Sequence, residues 1–139
     1  MKRILVLALL FLGSASTAMA GGYAYVEPGQ FRQWLENGKE MAIVDIQVSP
    51  EYQQHHFKGA IETNAYPVKS TADKQKLDAI VPALSAAKGD VVIVCPRGGG
   101  GAKNTYDYLK DKGIVEKRIF ILKEGMQGWP YKELTMDGK

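Results

Sequence analysis

The chain has 139 residues, 45% of them hydrophobic, 24% charged, and a formal net charge of +3. That length fits one domain with a core of its own. The near-balanced charge and dispersed lysines exclude a basic nucleic-acid-binding face, and a single cysteine excludes an intramolecular disulfide.

The N-terminus has the layout of an export signal. Met1-Lys2-Arg3 is basic, Ile4 to Leu12 is apolar, and the small-residue stretch from Ser14 ends in Ala18-Met19-Ala20, an A-x-A-like cleavage site. Residues 1–20 are read as a Sec-type signal peptide cut before Gly21, with residues 21–139 as one domain. The apolar run falls far short of the roughly 20 residues that span a bilayer, and no later segment is apolar enough to do so. The expectation is a periplasmic or secreted protein with no stable membrane insertion. Loss of Lys2 and Arg3 leaves a formal charge of +1.

Glu27-Pro28-Gly29-Gln30 introduces a helix whose apolar face is Phe31, Trp34 and Leu35, and Asn37-Gly38 stops it. Met41 to Ile46 reads as a strand carrying Asp45 at its end. Ser49-Pro50-Glu51 opens a second helix, with Ser49 as N-cap and Pro50 in the first turn; it breaks near His55, His56 and Lys58-Gly59. Ala60 to Ala65 reads as extended. Leu77, Ile80, Val81 and Leu84 recur at helical spacing, and Pro82 splits that stretch by a kink or into two helices.

Gly89-Asp90 turns into the strand Val91-Val92-Ile93-Val94, then Cys95-Pro96-Arg97-Gly98-Gly99-Gly100-Gly101 leads into a helix over 102–112 capped by Gly113. Arg118 to Leu122 is a further strand, Gly125 to Pro130 a turn, and 131–139 has no clear period. Strands alternating with helices predict a parallel sheet covered on both faces, with ligands bound outside the strands' carboxyl ends. Asp45 and Cys95 both sit at such ends.

Cys95 is the candidate reaction centre. N–H groups of a glycine-rich turn converge on an anion, and a helix N-terminus adds positive potential. Both favour the thiolate, which is the nucleophile. The four glycines, costly in chain entropy, read as backbone that approaches a ligand closely; the alternatives are a tight structural connection and a buried inert thiol. A cysteine phosphatase needs an arginine six positions after the cysteine to fork onto phosphate oxygens. That position is Gly101. A redox pair needs a second cysteine, which is absent. His55-His56 do not share a helix face and have no completing ligands, so no metal is expected. Met126 and Trp129 read as core, and Asp45 as a hydrogen-bonding hub.

The strand, cysteine, glycine-loop and helix unit resembles the active site of single-domain rhodaneses, the sulfurtransferases. Val44-Asp45-Ile46 with Pro50-Glu51-Tyr52 and His56-Phe57-Lys58-Gly59-Ala60-Ile61 is similar to that family's N-terminal signature, and Gly125-Met126-Gln127-Gly128-Trp129 to its C-terminal one. The resemblance covers about residues 26–131. It implies a three-layer α/β domain with a central five-stranded parallel sheet flanked by helices. It also implies a substrate-binding loop from Pro96 to Gly101, with Asp45 and Lys103 in support and His56 structural. Cys95 would take sulfur from a small anionic donor, thiosulfate or polysulfide, form a persulfide, and pass the sulfur to a thiol or cyanide, with no metal or organic cofactor.

The chain departs from the family at two places. Gly100 stands at the last loop position where many thiosulfate-using members carry a base, leaving Arg97 and Lys103 as nearby cations. Gln47 stands where arginine is frequent. The resemblance leaves two other readings open, a low-turnover persulfide carrier and a non-catalytic interaction domain.

Overall fold

The structure, a computed structural model, describes residues 18–20 and 22–138. The signal peptide read over residues 1–20 lies outside the described residues except for Ala18–Ala20.

Five strands form the parallel sheet: β2 (Tyr23–Val26), β3 (Met41–Asp45), β5 (Ile61–Glu62), β6 (Asp90–Val94) and β7 (Ile119–Leu122). Their order is β2-β7-β6-β3-β5, each neighbour parallel, as expected. A short strand, β1 (Ala18–Ala20), adds antiparallel to the outer edge of β2. The five parallel strands are complete without it.

The alternation of strand side chains divides the core in two. Val44, Val91, Ile93, Ile119 and Ile121 face one side, where Leu77, Leu84, Ala102, Tyr106 and Leu109 cover them. Those covering residues come from α3 (Thr71–Asp78), α4 (Val81–Ala86) and α5 (Gly100–Asp111). Ile43, Val92, Val94, Phe120 and Leu122 face the other side, against Phe31 and Trp34 of α1 (Pro28–Glu36), Phe57, Met126 and Trp129. A sheet buried on both faces has continuous apolar strands, and those runs made it readable.

Several boundaries differ from expectation. In α2 (Ser49–Gln54) Ser49 is the first helical residue, not the cap. Val48 caps without a side-chain bond, and Asn64 Oδ1, from a distant loop, accepts the Ser49 N–H at 3.0 Å. The split at Pro82 produces two helices, α3 and α4, with Pro82 in the first turn of α4. A reciprocal Ser70–Asp73 capping box starts α3. Helix α5 begins at Gly100, two residues earlier than expected, and ends where the Gly113 and Ile114 N–H groups donate to the Lys110 and Leu109 carbonyls, both at 3.0 Å. The aperiodic tail holds a 3-10 turn (Lys132–Leu134) and β8 (Thr135–Met136), which pairs antiparallel with β4 (His56–Phe57).

Candidate active site

Strand β6 lies between β3 and β7, with Val94 opposite Asp45 and Ile93 opposite Ile121. The chain leaves β6 at Cys95, on the carboxyl edge of the sheet. Cys95 is 1% exposed. Gly98 (φ +72°) folds the loop back so that its N–H donates to Cys95 Sγ at 2.7 Å, and the backbone amides of Arg97, Gly99 and Ala102 also lower the thiol's pKa. Of the expected cradle, the Gly98 N–H is the donor hydrogen-bonded to the sulfur among the described residues.

Its effect on the thiol is smaller than expected. Burial pushes the Cys95 thiol up, and the four N–H groups oppose that rise without reversing it. A thiolate taken out of water loses more than these amides return at rest. The expectation of a thiolate favoured at rest is corrected accordingly.

The C-terminal signature holds the loop from behind. The Met126 and Gln127 N–H groups donate to the Cys95 and Pro96 carbonyls at 2.8 and 2.9 Å. Gly125 (φ +61°) lies so close that a Cβ there would fall 2.3 Å from the Cys95 oxygen and 2.7 Å from the Arg97 nitrogen. A Cβ on Gly98 would fall 2.8 Å from the Glu124 nitrogen. Two turns thus interlock backbone to backbone, and Lys132 Nζ donates to the Met126 carbonyl at 2.7 Å, tying the tail to the clamp. Trp129 and Met126 are core, 1% and 3% exposed, as expected. The clamping role of 124–127 was not read from the sequence; a glycine-bounded turn after a terminal strand was the signal.

Asp45 is fully buried and acts as a hub. Its carboxylate accepts the Gln47 N–H at 2.9 Å and the Gln47 Nε2 at 3.0 Å, and its carbonyl accepts from Thr63 N–H and Oγ1 at 3.1 and 2.9 Å. Gln47 is a neutral amide, and Asp45 forms no ion pair with a Lys or Arg among the described residues. Burial raises the Asp45 pKa to about 6 against the pull of those Gln47 bonds. His56 is buried, stacked on Tyr52 with ring centroids 4.1 Å apart, and its Nδ1–H donates to the Tyr52 carbonyl at 2.9 Å. His55 is exposed and turns to Thr135, so the paired imidazoles diverge. Among the described residues no group of three or more His, Cys, Asp or Glu is arranged to hold a metal ion.

The remaining loop residues separate into distinct roles. Pro96 is buried, Arg97 is exposed, and Arg97 forms no ion pair among the described residues. Lys103 is directed onto the Tyr23 ring, 5.7 Å from its centroid, rather than into the loop. Gly99 and Gly100 face open space, with nothing within 4 Å of a Cβ. Gly101 is covered: a Cβ there would lie 2.8 Å from Cδ2 and 2.9 Å from Cε2 of Tyr66. Close approach within the glycine run is therefore to protein, at Gly98 and Gly101. Tyr66, 37% exposed, was missed by the sequence reading because it lies 29 positions before Cys95 and nothing local marks it.

A family model, "Rhodanese-like domain", matches residues 27–132. The chain belongs to the rhodanese-like family. Solved structures carry the same fold at low identity. The As-Sb reductase from Leishmania major is 16% identical with a TM-score of 0.63, covering 83% of this chain and 86% of that one. A rhodanese-like domain protein from Staphylococcus aureus is 21% identical with a TM-score of 0.58, covering 83% and 98%. A thiosulfate sulfurtransferase from Pseudomonas aeruginosa is 22% identical with a TM-score of 0.61, covering 82% of this chain but 19% of that one. No curated protein sequence matches the chain. This rhodanese-like domain shares with those structures its fold, the three-layer parallel α/β arrangement.

Proposed function

We propose that this rhodanese-like domain is a sulfurtransferase working through Cys95. The observation that carries the reading is the Gly98 N–H donating to Cys95 Sγ at 2.7 Å, where the glycine run folds back over the carboxyl end of β6. In the first half-reaction the thiolate attacks the outer sulfur of thiosulfate or of a polysulfide. The Sγ–S bond forms, the donor's S–S bond breaks, and sulfite or a shortened polysulfide leaves with the electron pair. In the second, a thiolate or cyanide attacks the outer persulfide sulfur and Cys95 departs as thiolate. Division into two covalent steps is the ordinary logic of nucleophilic catalysis, and the amides hold the anionic outer sulfur as an oxyanion hole holds oxygen.

Family members named as an As-Sb reductase and a yeast protein tyrosine phosphatase raise phosphoryl or arsenate chemistry as the competitor. Gly101 stands at the position where a cysteine phosphatase carries its arginine, and the Tyr66 ring lies against it. Oxyanion chemistry of that kind has no guanidinium fork here.

A second reading, a persulfide carrier of low turnover, is favoured by the burial of Cys95 and by Gly100 in place of a base. Intact mass spectrometry tests the first reading. The protein is expected to gain one sulfur atom from thiosulfate or polysulfide and lose it to cyanide; a chain that gains none while Cys95 stays titratable overturns it. A persulfidated protein that greatly outperforms both small donors selects the carrier reading. We further propose that the domain acts after export, with Gly21 as the first residue of the mature chain.

A further inference from the structure

The glycine run would expose the first turn of α5 if nothing lay beside it. Instead Tyr66 seats its ring on Gly101, the residue before Ala102, whose backbone amide lowers the Cys95 thiol's pKa. The Tyr66 N–H donates to the Ile46 carbonyl at 2.9 Å, and Ile46 Cδ1 would lie 3.3 Å from the same Gly101 Cβ. Ile46 continues β3, and its own N–H donates to the Val94 carbonyl at 2.9 Å, one residue before Cys95. The Tyr66 backbone is therefore tied to β3 and through it to β6, the strand that carries the nucleophile, and the residue is still 37% exposed. Ile46, Ala65, Cys95 and Ala102 all belong to the core on this face of the sheet, and Tyr66 follows Ala65 directly in the chain.

We propose that Tyr66 is a specificity-determining residue of the Cys95 site, an uncharged aromatic wall that selects polysulfide over thiosulfate as sulfur donor. The proposal rests on the sulfur-transfer reading. An aromatic face is electron-rich and repels sulfonate oxygens, whereas divalent sulfur packs well against a ring. Thiosulfate brings a compact sulfonate directly behind the sulfur it gives up. A polysulfide brings neutral divalent sulfur there, with its charge at the chain ends. The other neighbours do not reverse that preference: Gly99 and Gly100 carry no side chain, Lys103 is turned to Tyr23, and the exposed Arg97 attracts either dianion alike. In the favoured step the terminal sulfur of the chain bonds to Cys95 Sγ, its S–S bond breaks, and the shortened polysulfide leaves with the electron pair.

The test is the ratio of persulfide formation rates with inorganic polysulfide and with thiosulfate, read by intact mass for wild type, Tyr66→Phe, Tyr66→Leu and Tyr66→Ala. The wild type is expected to favour polysulfide. Leucine and alanine should lower the ratio about threefold to tenfold, the size of a sulfur–aromatic contact, while phenylalanine keeps it. A wild type that prefers thiosulfate, an unchanged ratio in the leucine and alanine variants, or an equal loss with both donors overturns the role of Tyr66 and leaves sulfur transfer standing. A wild type that gains sulfur from neither donor overturns sulfur transfer itself, and the proposal with it.

Discussion

Cys95 is held between opposed influences, burial that raises its pKa and amide donors that lower it, with burial the stronger. The thiolate is the nucleophile, so sulfur uptake should climb with pH and keep climbing past about 8.5, where a free thiol is half ionised. Uptake rates followed across the alkaline range check this; a plateau near neutrality contradicts it. Cys95→Ser should abolish uptake while leaving the melting temperature nearly unchanged. Asp45 makes a second prediction. Its folded pKa of about 6 exceeds the ordinary 3.8, so between these values the folded chain keeps a proton that the unfolded chain releases. Its contribution is therefore largest below about pH 4 and falls as pH rises through 6, by about 3 kcal/mol in all. Asp45→Asn should flatten this part of a stability-against-pH profile measured by urea unfolding.

At the scale of elements, the loop after β6 and the turn after β7 are one unit. Gly98→Ala and Gly125→Ala each combine a left-handed backbone with a Cβ inside its neighbour's main chain. Each should cost about 2–4 kcal/mol and weaken sulfur uptake, as thermal melts and intact mass would show. Gly99→Ala and Gly100→Ala meet open space and should shift stability by no more than about 0.5 kcal/mol. Four identical letters thus carry different constraints. Position along the chain marked the loop, because an apolar strand running into glycine is a local pattern. The Tyr66 seat on Gly101 and the Gly125 clamp were illegible, since both depend on contacts between segments far apart in sequence.

Over the whole molecule, the sheet order follows from strands whose two faces are both apolar, and these were readable as runs. The small β4–β8 sheet was not. Its strands are two residues each, too short for any period to register, and pairing with the distant tail creates them. Trp129 joins the tail to the core, with edge-on contacts to Phe31, Phe57 and Tyr131. Trp129→Ala should cost about 3–5 kcal/mol, measurable by chemical denaturation. Mass analysis of the exported protein should give a chain beginning at Gly21, which removes β1 and keeps all five parallel strands.

The backbone interlock behind Cys95 has a consequence for the environment in which the domain works. With the Cys95 and Pro96 carbonyls bound by Met126 and Gln127, the loop backbone is fixed, and the Gly98 N–H stays on the sulfur as a partial positive charge. Peptide groups do not titrate, and charges in a buried site are screened by salt far less than surface ones. Once ionised, a sulfur anion cupped there would be held with much the same grip at low and at high salt.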